Sequence, residues 1–211
     1  MNSSATMFAR SEKPALELIS LATMAPDLAR RNLRSLLLAN PDYFGRITSS
    51  SFKAVLRIQQ DTRYESIGYV AYSPSIEQLQ ATIHLSECTG YSGAARASKE
   101  YVRFYLSYDG GSTWRDQGMS SINVRDMPGP KPQQEMVAVG ISPALTLCFL
   151  ERLPIVRTIL SWNVPPPADM PDWTPVWGDV MNAQICLEPT EDVLVQPFFD
   201  CWLKPELGCS A

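Results

Sequence analysis

From about residue 52 the chain is a succession of short apolar stretches with no helical stretch between them, and this constrains the fold more than any other feature. FKAVLRIQQ, SIGYVAYS, LQATIHLSEC, EYVRFYLSY, SINVRD, MVAVGIS, LTLCFL and PIVRTILSW are rich in β-branched and aromatic residues and are separated by turn-forming pairs such as Ser-Pro, Gly-Gly and Pro-Gly. Parallel neighbours need crossover connections of about a dozen residues or more, usually helical, so strands that follow one another directly pair antiparallel. The spacing predicts a mainly β chain built as an antiparallel, Ig-like β-sandwich. In EYVRFYLSY, Val102, Phe104 and Leu106 alternate with Arg103, Tyr105 and Ser107, which predicts one buried and one wet face. Val156, Thr158 and Leu160 repeat the pattern less cleanly against Arg157, Ile159 and Ser161. The 17 prolines in 211 residues, roughly 8% against a usual ~5%, also disfavour a mainly helical fold.

The sandwich is expected over residues 46–190, preceded by a helical segment within 1–45 and followed by an aromatic tail at 191–211. Residues 1–13 read as a polar arm. PALELISLATMA and PDLARRNLRSLLLAN then predict a helical hairpin or kinked helix from about 14 to 39, stopped by Asn40-Pro41. Leu28, Leu33, Leu36 and Leu37 line its expected apolar face, with Arg30 and Arg34 one turn apart on a basic one.

One short motif stands out. Ser107-Tyr108-Asp109-Gly110-Gly111-Ser112-Thr113-Trp114 follows the pattern Ser-x-Asp-x-Gly-x-Thr-Trp and resembles the Asp-box of sialidases and other β proteins. The resemblance implies a hairpin over residues 101–116 in which Ser107, Asp109, Gly111 and Trp114 stabilise the turn: the two polar side chains bond to backbone donors, glycine supplies positive φ and the aromatic ring covers the base. It implies no sialidase activity, because it covers eight residues and the family's arginine cluster and tyrosine nucleophile have no counterpart motif. The stretches LLLANPDYFG, EYVRFYLSY and VRTILSWNVPP resemble uncharacterised bacterial proteins, which implies a bacterial cytoplasmic origin and no particular activity.

Familiar catalytic patterns are missing. His84 is the single histidine and reads as a strand residue, about 13 Å along the strand from Cys88. The five cysteines, Cys88, Cys148, Cys186, Cys201 and Cys209, form no CxxC pair and fit a reducing compartment. No cofactor or metal is expected, and Asp116, Asp126 and Glu135 show no acid-base spacing. A net charge of −4 argues against general nucleic-acid binding, and no stretch reaches the ~20 apolar residues of a membrane span. The N-terminus also lacks the pattern of a secretory signal. The surface features with most to offer are aromatic. VPPPADMPDWTPVWGD sets Trp173 and Trp177 in a proline-stiffened loop, and the tail carries Phe198, Phe199 and Trp202. The leading expectation is a non-enzymatic interaction or assembly module that binds a protein partner or itself through these residues. A glycan-binding module using exposed tryptophans, or an enzyme using carboxylates or Cys88, are the alternatives.

Overall fold

A computed structural model describes residues 26–47, 50–91, 98–126, 135–143 and 153–187, with the side chains of 135–139 outside that description. Among the described residues two short helices, α1 (Pro26–Arg31) and α2 (Leu33–Ala39), precede seven strands: β1 (Glu65–Ser73), β2 (Gln78–Leu85), β3 (Ser98–Ser107), β4 (Arg115–Val124), β5 (Glu135–Ile141), β6 (Ile155–Trp162) and β7 (Gly178–Gln184). They form two sheets, ordered β1-β2-β5 and β4-β3-β6-β7, in which every pairing is antiparallel. The chain is mainly antiparallel β, as the strand succession predicts.

Between the sheets lies a core of Ile67, Leu79, Ala81, Ile83 and Leu85 from one side and Val102, Phe104, Leu106, Val156 and Leu160 from the other. The alternation in β3 holds for its inward set, yet Tyr105 and Ser107 are buried too, at 1% exposure each. They do not form the wet face that period two predicts. The proline-rich loop after β6 explains Tyr105, because it folds back over the outer face of this sheet. The Tyr105 hydroxyl donates to Pro167 O at 2.5 Å and Arg103 Nε donates to Pro166 O at 2.8 Å. Ser107 is held at the other end by the β3–β4 turn.

Two further expectations are corrected. FKAVLRIQQ is not a strand: residues 52–60 run irregularly, with Phe52 and Val55 exposed and only Ile58 buried. The backbone amides of Val55 and Leu56 are already engaged by Tyr43 O, so the stretch folds against the helical segment instead of joining a sheet. The apolar helical face is corrected at one position. Leu33 and Leu36 are buried and Leu37 packs against the same cluster, but Leu28 is 48% exposed and Ala29, one turn before Leu33, takes the inward place. LTLCFL, the tail with Phe198, Phe199 and Trp202, and the proposed helix before residue 26 lie outside the described residues.

Candidate functional site: a caged arginine at the end of the sandwich

Glu65 opens β1 on the same parity as buried Ile67, and Glu100 sits in β3 on the parity of Val102 and Phe104. Period two therefore turns both carboxyl groups into the space between the sheets, at one end of the sandwich. Both residues are 0% exposed. A lone carboxylate there would be costly to desolvate, and the helical segment supplies the counter-charge. Arg30 of α1, expected on an exposed basic face beside Arg34, is instead 1% exposed, while Arg34 does face solvent.

The guanidinium is held on its edge and on its faces. Nη1 and Nη2 donate to the two Glu65 oxygens at 2.9 and 2.6 Å, the bidentate geometry that a planar fork allows, and Nε donates to Gly90 O at 3.0 Å. Tyr64 lies 4.0 Å and Trp162 4.1 Å from the guanidinium carbon, with Trp177 at 5.6 Å and Tyr91 at 5.7 Å. Cation–π contacts are worth most where water is excluded, as here. The cage is braced in turn: the Tyr91 hydroxyl donates to Tyr64 O at 2.5 Å, and Trp162 and Trp177 meet edge-to-face at 6.1 Å. Around it a second apolar cluster joins Ala29, Leu33, Leu36, Tyr43 and Phe44 of the helical segment to Ile58, Trp162, Val176 and Trp177.

Charge in this cluster does not balance unless one proton stays. Glu100 has no hydrogen-bond partner on either carboxyl oxygen among the described residues. Burial holds its pKa well above the ordinary carboxylate range, the neighbouring Glu65 pushes the same way, and only Arg30 opposes. Burial also raises Glu65, against the pull of Arg30. Of the two carboxyls, Glu65 has the guanidinium in direct contact, so Glu100 is the one that keeps the proton. Tyr64 is pushed up to about 12, first by burial and then by its hydrogen bond to Asp27.

Trp173 and Trp177 separate. Trp177 is 1% exposed inside the cage cluster, which corrects the expectation of an exposed platform; its flanking residues Pro175 and Val176 bond to Gln60 and Asp61, drawing it inward. Trp173 is half-buried beside a shallow groove of about 190 Å³ that it shares with Gln60, Arg157 and Asp172, and Arg46 lies 5.0 Å over its ring. In the β3–β4 turn, Asp109 accepts from Thr113 N at 2.8 Å, Thr113 Oγ1 at 2.6 Å and Ser107 Oγ at 2.8 Å, and Gly111 N donates to Ser107 Oγ at 2.7 Å. Gly110 and Gly111 take positive φ values of 76° and 95°, and Trp114 carries Arg157 at 4.3 Å over its ring. These bonds, Thr113 foremost, hold Asp109 far below the usual carboxylate range. His84 is half-buried on β2 opposite Ser66, and Cys88 is a half-buried free thiol. Asp116 pairs with Arg103 at 2.6 Å and Asp126 accepts from Tyr91 N, so both are committed to structure.

Sequence reasoning misses the cage altogether. Its signal is present in the strand alternation itself: carried back from Val102 and Ile67, the period places Glu100 and Glu65 inward, and two inward carboxyls require a buried cation.

No protein-family model matches the chain, and no curated protein matches it in sequence. Among solved structures, one similar chain is the sensor domain of the anti-sigma factor RsgI4 from Pseudobacteroides cellulosolvens, in a solution structure. It is 10% identical, aligns over 64% of this chain and 83% of that one, and has a TM-score of 0.31. Among the described residues no helix is long and apolar enough to cross a membrane, and no cluster of His, Cys, Asp and Glu suited to a metal ion occurs.

Proposed function

We propose that this chain is an interaction and assembly module, an Ig-like sandwich that presents its N-terminal segment to a second copy of itself. One observation carries the reading: five of the large apolar side chains left exposed, Leu28, Leu38, Ile47, Phe52 and Val55, fall within residues 26–57, a stretch pinned to the sandwich by the caged Arg30. Exposed apolar side chains on a rigid support lose little entropy on binding.

Charge supports a second copy as the partner. Six of the 18 basic residues and two of the 22 acidic ones lie between 26 and 57, so this stretch carries +4 and the remainder of the chain −8. A basic, apolar surface and an acidic body attract each other between copies. The Ig-like description rests on strand order. With the strands lettered A to G in sequence, the sheets are A-B-E and D-C-F-G, the constant-type arrangement with its fourth strand moved to the opposite sheet.

Size-exclusion chromatography with light scattering tests the reading. The full-length chain is expected to run above its 23.5 kDa monomer mass and to fall back to it when Leu38→Glu and Phe52→Glu are combined. A wild type that stays at the monomer mass at every concentration overturns self-assembly. The glycan-binding alternative is left with Trp173, whose ring already carries Arg46; titration of tryptophan fluorescence with a glycan panel tests it.

A further inference from the structure

The residues that grip Arg30 all belong to the sandwich and its loops, while Arg30 belongs to a segment that precedes them. Tyr64, Glu65, Tyr91, Trp162 and Trp177 make a receptor for a planar cation: two aromatic faces at 4.0 and 4.1 Å, a bidentate carboxylate on one edge and a carbonyl on Nε. An ammonium ion cannot fill both faces and both oxygens at once. Beside the cage the receptor continues as an apolar socket of Trp162, Val176 and Trp177, which packs in one cluster with Ala29, Leu33, Leu36 and Ile58 of the segment. The complete seat thus fits an arginine followed by leucines three and six positions later on a broken helix, and the sequence that meets this is the segment's own.

The segment is also divided from its receptor at a definable point. Residues up to 56 fold against it, through Asn40 Nδ2 to Lys53 O and the amides of Val55 and Leu56 to Tyr43 O. From Gln60 the chain is bonded to the sandwich, through Gln60 N to Pro175 O and Asp61 N to Val176 O. The junction falls at exposed Gln59 and Gln60, and Gln60 is held at a φ of 51°, a left-handed backbone that a residue with a side chain adopts at a cost. Straightening the junction relieves that strain and lifts the segment as a unit, which is the arrangement from which identical elements exchange between protomers.

We propose that the caged arginine is the lock of a segment exchange: residues 26–57 of one copy dock into the guanidinium cage and apolar socket of another, with Arg30 as the specificity-determining contact. This rests on the assembly reading and names its partner surface.

Complementation between two full-length variants tests it. Arg30→Met leaves Glu65 facing no cation, and Glu65→Gln leaves Arg30 buried without its carboxylate, so each closed monomer contains an unpaired buried charge. An exchanged heterodimer contains none: one cage joins Arg30 to Glu65, and the other joins the two substituted side chains, a methionine against a glutamine, both neutral. The variants are unfolded and refolded separately and as an equimolar mixture, which keeps the test valid even if neither folds alone. The expected result is a heterodimer of twice the monomer mass, at least tenfold enriched over either variant alone and melting near the wild type. A mixture that behaves as the superposition of its two components overturns the exchange. If it does so while wild type still assembles in a Leu38-dependent manner, the assembly reading survives and exchange alone is lost.

Discussion

Replacing Arg30 by Met removes the cation that faces two buried carboxyl groups, and the size of the effect follows from what Glu65 can do next. Left ionised at 0% exposure it is an uncompensated buried charge, a situation worth about 3 to 5 kcal/mol when one member of a buried pair is deleted. Its alternative is to take up a proton. From its usual value of 4.5 that costs about 1.4 kcal/mol per pH unit, hence roughly 3.4 kcal/mol at pH 7 and under about 1 kcal/mol at pH 5. The cheaper route sets the loss, so Arg30→Met is expected to destabilise by roughly 3 to 4 kcal/mol at pH 7, and by visibly less at pH 5. Glu65→Gln strands a guanidinium that has no proton to release within the working range; its loss is expected near about 3 to 5 kcal/mol at pH 5 and no larger at pH 7, where Glu100, freed of the Glu65 charge, can ionise toward Arg30. Combining the two replaces both charges at once and is expected to return to within about 1 kcal/mol of wild type, a coupling of about 3 kcal/mol or more. Urea unfolding followed by tryptophan fluorescence reads all four proteins, because Trp162 and Trp177 line the cage. Additive losses, or single losses below about 1 kcal/mol, would refute the claim that the ion pair anchors the segment.

Glu100→Gln keeps the shape of a protonated carboxyl without the proton. Because the folded state raises the pKa of Glu100, its favourable contribution is full below the unfolded pKa and is lost as pH rises through the folded one. Glu100→Gln is therefore expected to be neutral near pH 4 and stabilising at pH 7, flattening a pH dependence whose slope per group is at most about 1.4 kcal/mol per unit; equal urea midpoints for the two proteins at pH 7 would contradict it. Gly178 sits at a φ of 130° with the place of a Cβ only 2.1 Å from Leu160 O, so Gly178→Ala is expected to lose at least about 2 kcal/mol, read as a melting-temperature drop of roughly 4 °C or more. Asp109→Ala removes three hydrogen bonds from the β3–β4 turn and should lower the melting temperature; the difference from wild type should shrink in acid, as the depressed carboxyl of wild type is titrated and its bonds are lost.

Much of this architecture is legible in the amino-acid order, and the exceptions share a cause. Val102, Phe104 and Leu106 are recognisable as core because period two acts on a single strand. Tyr105 escapes the same logic because its cover comes from a loop some sixty residues away in sequence. Trp177 reads as a surface anchor from its proline-rich neighbourhood, but its burial is decided by Ile58, Phe44 and Trp162, contacts that composition does not encode. Arg30 is the sharpest case. On a helical wheel it is one more basic residue beside Arg34, and only the meeting of inward Glu65 and Glu100 with α1 makes it a core residue. Local pattern finds what each element buries, whereas the pairing of buried charges depends on which element closes the end of the sandwich.

On the proposed reading, the caged Arg30 holds residues 26–57 in place and that stretch joins one copy to another. Sedimentation velocity of the full-length wild type beside Arg30→Met tests both statements together, since that substitution leaves Leu28, Leu38, Ile47, Phe52 and Val55 untouched. The expected outcome is a wild-type species heavier than 23.5 kDa and a loss of that species in Arg30→Met. A wild type that sediments as the monomer, or an Arg30→Met variant that assembles as fully as wild type, would contradict it.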